Sequence, residues 1–231
     1  MMRGTEETWL VLRSEPLGAA LNMAWDEALL EAVGFLGLPI LRFYAWSEPA
    51  ASFGYFQRHE EVERLIHLRP LVRRPTGGGI VPHNRDWTYS MALPTAHPWY
   101  RATAHTTYAL VHQWLRSALR LASVETTLAT DVRDGGGRCF AGASRYDLLF
   151  CGRKIAGAAL RRTRNGLLIQ GSVQPPAVAP PRPDWEIAMQ AVARQQMGAN
   201  WHVLSPHPHV AHRAHQLAEQ KYARADYNQC R

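Results

Sequence analysis

Three consecutive glycines, Gly77, Gly78 and Gly79, sit inside the segment RRPTGGGIVPH (73–83). Such a run lets the backbone approach a ligand closely and offers N–H groups to a phosphate or carboxylate. Arg73 and Arg74 stand just before it, and one of them is expected to face the same site. The segment is no P-loop, because no Gly-Lys-Ser/Thr follows, and a glycine run by itself also fits a plain turn. His83 ends the segment, either polarising a reacting group or serving as a hydrogen-bonded structural histidine. A second group of residues lies further on. Cys139 follows Gly-Gly-Gly-Arg and stands among Arg133, Arg138 and Arg145; positive surroundings lower a thiol's pKa and favour the nucleophilic thiolate. Cys151 closes an apolar run and reads as a small core residue. Lys154 then precedes Ala156, Gly157, Ala158 and Ala159, small residues that leave room for a bound ligand.

Lysine is scarce here. Of 26 basic residues only Lys154 and Lys221 are not arginine. A chain that uses arginine for almost every positive charge keeps lysine where a compact, movable donor is needed. Residues 1–115 are nearly neutral, whereas 133–164 hold eight basic side chains against Asp134 and Asp147. That stretch suits an acidic partner, or else a solvated arginine-rich face. No aromatic-basic interleave accompanies it, so no nucleic-acid partner is expected. His202, His207, His209, His212 and His215 offer only one pair at helical spacing (His212 and His215), and no metal site is expected. Tyr44, Trp46, Trp99 and Tyr100 read as core or tunnel wall.

These residues need a scaffold. The chain of 231 residues, 46% hydrophobic, is long enough for a core and too apolar for disorder. Three cysteines do not make a disulfide framework. The N-terminus is acidic, and no apolar run reaches the roughly 18–20 residues of a membrane helix. A soluble, cytoplasmic protein without a membrane partner is therefore expected. Periodicity predicts strands at 9–15, 71–75, 87–94, 145–151, 154–162 and 166–173, with two short ones within 39–57. It predicts helices at 16–34, 59–68, 106–122, about 184–198 and 208–224. Residues 131–144 read as a loop, and five prolines at 175–183 as a connection to the C-terminal helices. The mixture predicts an α+β fold with a largely antiparallel sheet. One domain over 1–231, with no accessory C-terminal domain, is the expected organisation.

The segments RRPTGGGIVPH, GRKIAGAA and LLIQGSV, in that order, resemble the lipoate-protein ligase A and octanoyltransferase family, within the wider biotin/lipoate ligase catalytic fold. NMAWDEALL and AEQKYARADYN look like its flanking segments. The resemblance implies a mixed, largely antiparallel sheet packed with helices, holding a lipoyl or octanoyl chain in an apolar tunnel. It implies that Arg74, Thr76, Gly77, Gly78 and Gly79 line the acyl site, and that Lys154 contacts the reacting carbonyl. His83 and Gly157 join them as candidate substrate-binding residues. Acceptors would be lipoyl domains or the glycine-cleavage carrier protein. Two routes share this fold. A transferase takes octanoate from octanoyl-acyl carrier protein through a cysteine thioester and needs no cofactor; a ligase activates free lipoate or octanoate with ATP and Mg²⁺. Cys139–Phe140, ahead of SRYDL, resembles the transferase cysteine loop, and this route, with Cys139 and Lys154 catalytic, is favoured. TGGG is closer to the ligase loop, so ATP-dependent ligation is the alternative. A non-catalytic lipoyl-binding protein, or half of a two-subunit enzyme, is the third reading. Gln170 stands where both branches usually carry histidine, which puts ionic or proton-transfer roles there in doubt.

Overall fold

Successive side chains of a strand point to opposite faces, and the main sheet of this protein buries both. The structure is a computed structural model that describes residues 7–132, 142–205 and 207–230. The first half of the chain forms β1 (Glu7–Arg13), α1 (Ala19–Leu36), β2 (Ile40–Tyr44), β3 (Ala50–Phe53), α2 (His59–Leu65), β4 (Leu71–Arg73), β5 (Val81–His83) and β6 (Trp87–Leu93). There follow α3 (Pro98–Arg101), α4 (Ala104–Leu121), β7 (Thr127–Leu128), β8 (Leu148–Phe150), β9 (Arg153–Thr163) and β10 (Gly166–Val173). The chain continues through α5 (Arg182–Met197), β11 (Ala199–Val203), α6 (Pro208–Leu217), a π-helical turn (Ala218–Tyr222) and α7 (Ala225–Asn228).

Among the described residues the strands form an eight-stranded sheet, in the order β11-β1-β2-β6-β10-β9-β8-β7, and a three-stranded sheet, β4-β3-β5. β1 runs parallel to β11 and β2, and the pairs from β2 to β7 are antiparallel. The α+β class and the mixed, mostly antiparallel sheet expected from the sequence are what the structure has. On one face Leu41, Phe43, Leu167 and Ile169 pack with α4 and α5 around Trp114 and Trp185. On the other, Ile40, Tyr44 and Leu168 pack against Met23, Leu29 and Val33 of α1. The small sheet has its own core of Ala51, Phe53, Val62 and Ile80.

Several boundaries differ from the sequence reading. The sequence reading assigns no element to ANWHV; its pairing with β1, Trp9 opposite Trp201, makes it the strand β11. The 145–151 strand shrinks to β8, since Tyr146 and Cys151 have positive φ (72° and 48°) at its ends. Cys151 is therefore exposed on the tight turn into β9 and is not a core residue. The turn places it, with Gly152, in the left-handed region, and this overrides the apolar run before it. The last helix splits because its hydrogen bonding loosens into the π-helical turn.

Candidate functional site

Between Ile40 and Tyr44, Arg42 points to the α1 face and is fully buried. A buried guanidinium needs a counter-charge and acceptors, and α1 supplies them. Arg42 donates to Asp26 Oδ1 at 2.8 Å, to the Asn22 carbonyl at 3.0 Å and to Asn22 Oδ1 at 2.8 Å. Asp26 also accepts from Ser90 Oγ (2.6 Å), Gln170 Nε2 (2.7 Å) and Tyr44 OH (3.2 Å). Burial, then the Asp26 charge, pushes the Tyr44 phenol well above its usual range. Gln170 completes the bridge by accepting from Thr76 Oγ1 at 2.7 Å, which ties the glycine segment to the sheet. An amide meets both partners as a neutral donor and acceptor, so this position has no ionisable proton to transfer.

The small sheet lies over that face and leaves an open-mouthed cavity. Met23, Tyr44, Trp46 and Val81 give it an apolar wall, and Arg74, Gly157 and His83 line it as well. That is the make-up of a small-molecule site: mostly apolar, with a few placed polar groups. The glycines fold around Arg74 through their carbonyls. Its Nη2 donates to the Gly77 oxygen (2.9 Å) and the Gly79 oxygen (2.8 Å), and Nη1 to Ser52 Oγ (2.9 Å). Gly78 adopts φ 89°, a conformation that favours glycine. Arg73 turns the other way, to the backbone oxygens of Tyr55, Gln57, Tyr227 and Asn228.

At the neighbouring end, Lys154 Nζ pairs with Asp147 Oδ2 at 2.7 Å, with 5% and 0% of their side chains exposed. Asp147 is held in turn by Tyr108 OH and by the Ser144 backbone N–H, which donates to Oδ2 at 2.6 Å. The Lys154 side chain lies over Gly157: a β-carbon there would stand 2.9 Å from Cε and 3.0 Å from Nζ. Gly157 thus joins the ammonium to the cavity. On the cavity's other side Ser52 Oγ meets His83 Nε2 at 2.6 Å, and His83 Nδ1 meets Asp86 Oδ2 at 2.7 Å. Ser172 Oγ donates to the same Asp86 oxygen at 2.7 Å. Trp46 stacks on the His83 ring at a centroid distance of 3.8 Å. Burial lowers the His83 pKa, against the opposing effect of Asp86.

Of the residues singled out in the sequence, Arg74, Gly78, His83 and Gly157 line the cavity, and Lys154 adjoins it. Thr76, Gly77 and Gly79 build the loop rather than its inner surface. Cys139, with Arg133 and Arg138, lies outside the described residues; Asp131 and Gly142, on either side of that segment, line a second, more polar hollow together with Lys154. Tyr44 and Trp46 are cavity wall, as read from sequence. Ser52, Asp86, Tyr108 and Asp147 were missed. Asp147 had one signal, being one of only two acids in the basic stretch, and Asp86 stands three residues after His83. Ser52 and Tyr108 had none. No helix among the described residues is long and apolar enough to cross a membrane.

Residues 18–174 match the family model described as the lipoyl protein ligase A/B catalytic domain. An octanoyltransferase LipM of Carboxydothermus hydrogenoformans is 37% identical over 174 residues, covering 72% of this chain and 65% of the relative. The octanoyltransferase LipM of Geobacillus kaustophilus is 35% identical over 186 residues, covering 73% and 66%. The matched region thus spans about two thirds of the length of these relatives. Among solved structures, a T. acidophilum protein with bound lipoic acid superposes with a TM-score of 0.78 at 19% identity, covering 98% of this chain and all of the other. A lipoate-protein ligase A bound with ATP superposes at 0.77, with 19% identity and coverage of 97% and 99%. At that identity the structural likeness speaks for the fold alone.

Proposed function

This chain belongs to the lipoyl protein ligase A/B catalytic-domain family, and from that premise we propose that it transfers an octanoyl group to the lysine of lipoyl domains, acting as a single catalytic unit. The donor is octanoyl-acyl carrier protein, and the acyl group passes through a thioester on Cys139. The relatives named octanoyltransferase support this reading. The observation that carries it is the Lys154 ammonium, fixed by Asp147 over Gly157 at the edge of an apolar cavity.

The alkyl chain lies against Met23, Tyr44, Trp46 and Val81, with its carbonyl toward Lys154. Cys139 attacks that carbonyl; the acyl–sulfur bond to the donor breaks, a new one to Cys139 forms, and the donor thiol leaves with a proton. The amine of the acceptor lysine then attacks, an amide forms, and the amine's proton restores the Cys139 thiol. In both steps Lys154 donates to the carbonyl oxygen as it becomes negative, and a preplaced donor of this kind is worth about 10²–10³ in rate. The Asp147 contact holds the ammonium in place before substrate binds. The basic stretch 133–164 offers an acidic acceptor domain a complementary surface.

Incubating the protein with an apo lipoyl domain and octanoyl-acyl carrier protein, without ATP, tests the reading. Octanoylated lipoyl domain is the expected product. Acylation only from free lipoate plus ATP identifies a ligase, and none from either donor points to a non-catalytic lipoyl-binding protein or half of a two-subunit enzyme.

A further inference from the structure

The transfer described above leaves one buried constellation unused. Ser52, His83 and Asp86 are linked hydroxyl to Nε2 and Nδ1 to carboxylate, at 2.6 and 2.7 Å. This is the order of contacts by which a serine nucleophile, its base and the group orienting that base operate. The hydrogen bonds fix the tautomer. A carboxylate only accepts, so Nδ1 carries the proton; Nε2 then offers its lone pair to the Ser52 hydroxyl. Arg74 Nη1 donates to Ser52 Oγ at 2.9 Å. A guanidinium so placed lies within reach of the oxyanion that forms on a carbon bonded to that oxygen. Asp86 Oδ1 is buried without a hydrogen-bond partner among the described residues. A carboxylate so poorly solvated gains most when the neighbouring imidazole becomes an imidazolium, as it does during catalysis. Ser52 and His83 both form part of the cavity wall, beside the apolar side chains that suit an alkyl chain. Ser52 lies within β3, paired with Val81 of β5, so nucleophile and base sit on two strands of one small sheet.

We propose that Ser52 is a second acyl-accepting nucleophile, with His83 as its base, Asp86 orienting His83 and Arg74 stabilising the oxyanion. It gives the protein a hydrolytic activity toward medium-chain acyl esters and thioesters. Ser52 Oγ attacks the acyl carbonyl while its proton passes to His83 Nε2. The bond to the alcohol or thiol breaks, and the leaving group takes that proton. Water then adds to the acyl-serine ester with His83 again accepting a proton; the ester bond breaks, free fatty acid departs and the Ser52 hydroxyl is restored. This activity does not depend on the Cys139 route, and the experiment keeps the two apart.

The protein carrying Cys139→Ala is treated with a fluorophosphonate, mapped by peptide mass spectrometry, and assayed for hydrolysis of p-nitrophenyl octanoate. The expected result is a phosphonyl adduct on Ser52. Hydrolysis should fall by at least about 100-fold when Ser52→Ala or His83→Gln is added. Thermal melts of each variant confirm folding, and the adduct in protein with Ser52 intact needs no further substitution. Absence of the adduct on Ser52, or hydrolysis unchanged by Ser52→Ala, overturns the proposal.

Discussion

Lys154 owes its position to one residue that binds it and one that makes way for it. Asp147 fixes the ammonium, and Gly157 leaves the space in which its side chain lies. Replacing Lys154 by Arg keeps the charge but substitutes a planar fork for a point donor. Transfer activity should fall by about 100-fold or more, with the melting temperature little changed; near-normal turnover in a lipoylation assay contradicts the assignment. Gly157→Ala separates position from charge. Its β-carbon would stand 2.9 Å from Lys154 Cε and 3.0 Å from Nζ, at the movable end of a flexible side chain. The fold therefore tolerates the change while the ammonium is displaced. Turnover should drop at least about tenfold, the loss expected when a catalytic contact is misplaced, with urea stability nearly intact. Lys154 was legible in the sequence because lysine is so rare there. Its partner Asp147 had only the signal of being one of two acids in the basic stretch, and Tyr108, which holds Asp147 from 39 residues away, had none; the packing of α4 beside β9 brings it there.

Among the elements, the glycine segment and β3 depend on each other. A β-carbon on Gly54 would stand 1.9 Å from the Gly78 carbonyl oxygen, so two backbones touch where a side chain cannot fit. Gly54→Ala must push the loop off β3 or distort both. It should destabilise the protein by about 3 kcal/mol or more, at or beyond the upper end for overpacking. A urea melt measures this, and an unchanged midpoint refutes the close packing. Strands with strong local signals were readable: β6 has apolar, branched or aromatic residues at nearly every position, β10 opens on the apolar run Leu167–Leu168–Ile169, and Asn165–Gly166 marks the turn between β9 and β10. β5 and β11 were not, since Val-Pro-His and ANWHV have little strand character and become strands only through partners distant in sequence. The glycine run was legible as a special backbone, but not that its carbonyls would close on Arg74.

For the molecule as a whole, the composition foretold a packed core and the mixture of predicted strands and helices an α+β fold, and both faces of the sheet are buried beneath helices or the small sheet. Buried histidines follow from that packing. Burial lowers His112 to about 4, and its Nε2 has no hydrogen-bond partner among the described residues. As pH falls from about 6.5 toward 4, the unfolded chain takes up a proton at this position that the folded protein refuses, so stability declines across that window. The loss from this group is on the order of 2–3 kcal/mol. His112→Gln should make the difference in urea stability between pH 7 and pH 4.5 smaller by about that amount; an unaltered difference contradicts the burial argument. Beyond stability, the proposed transfer runs through a thioester at Cys139. The most direct test is intact-protein mass spectrometry after brief exposure to octanoyl-acyl carrier protein, followed by peptide mapping and addition of an apo lipoyl domain. The expected result is one octanoyl adduct on Cys139, labile to neutral hydroxylamine, discharged to the lipoyl domain and missing in Cys139→Ala. Full transfer activity in Cys139→Ala, with no adduct on this cysteine in the unmutated protein, would contradict it.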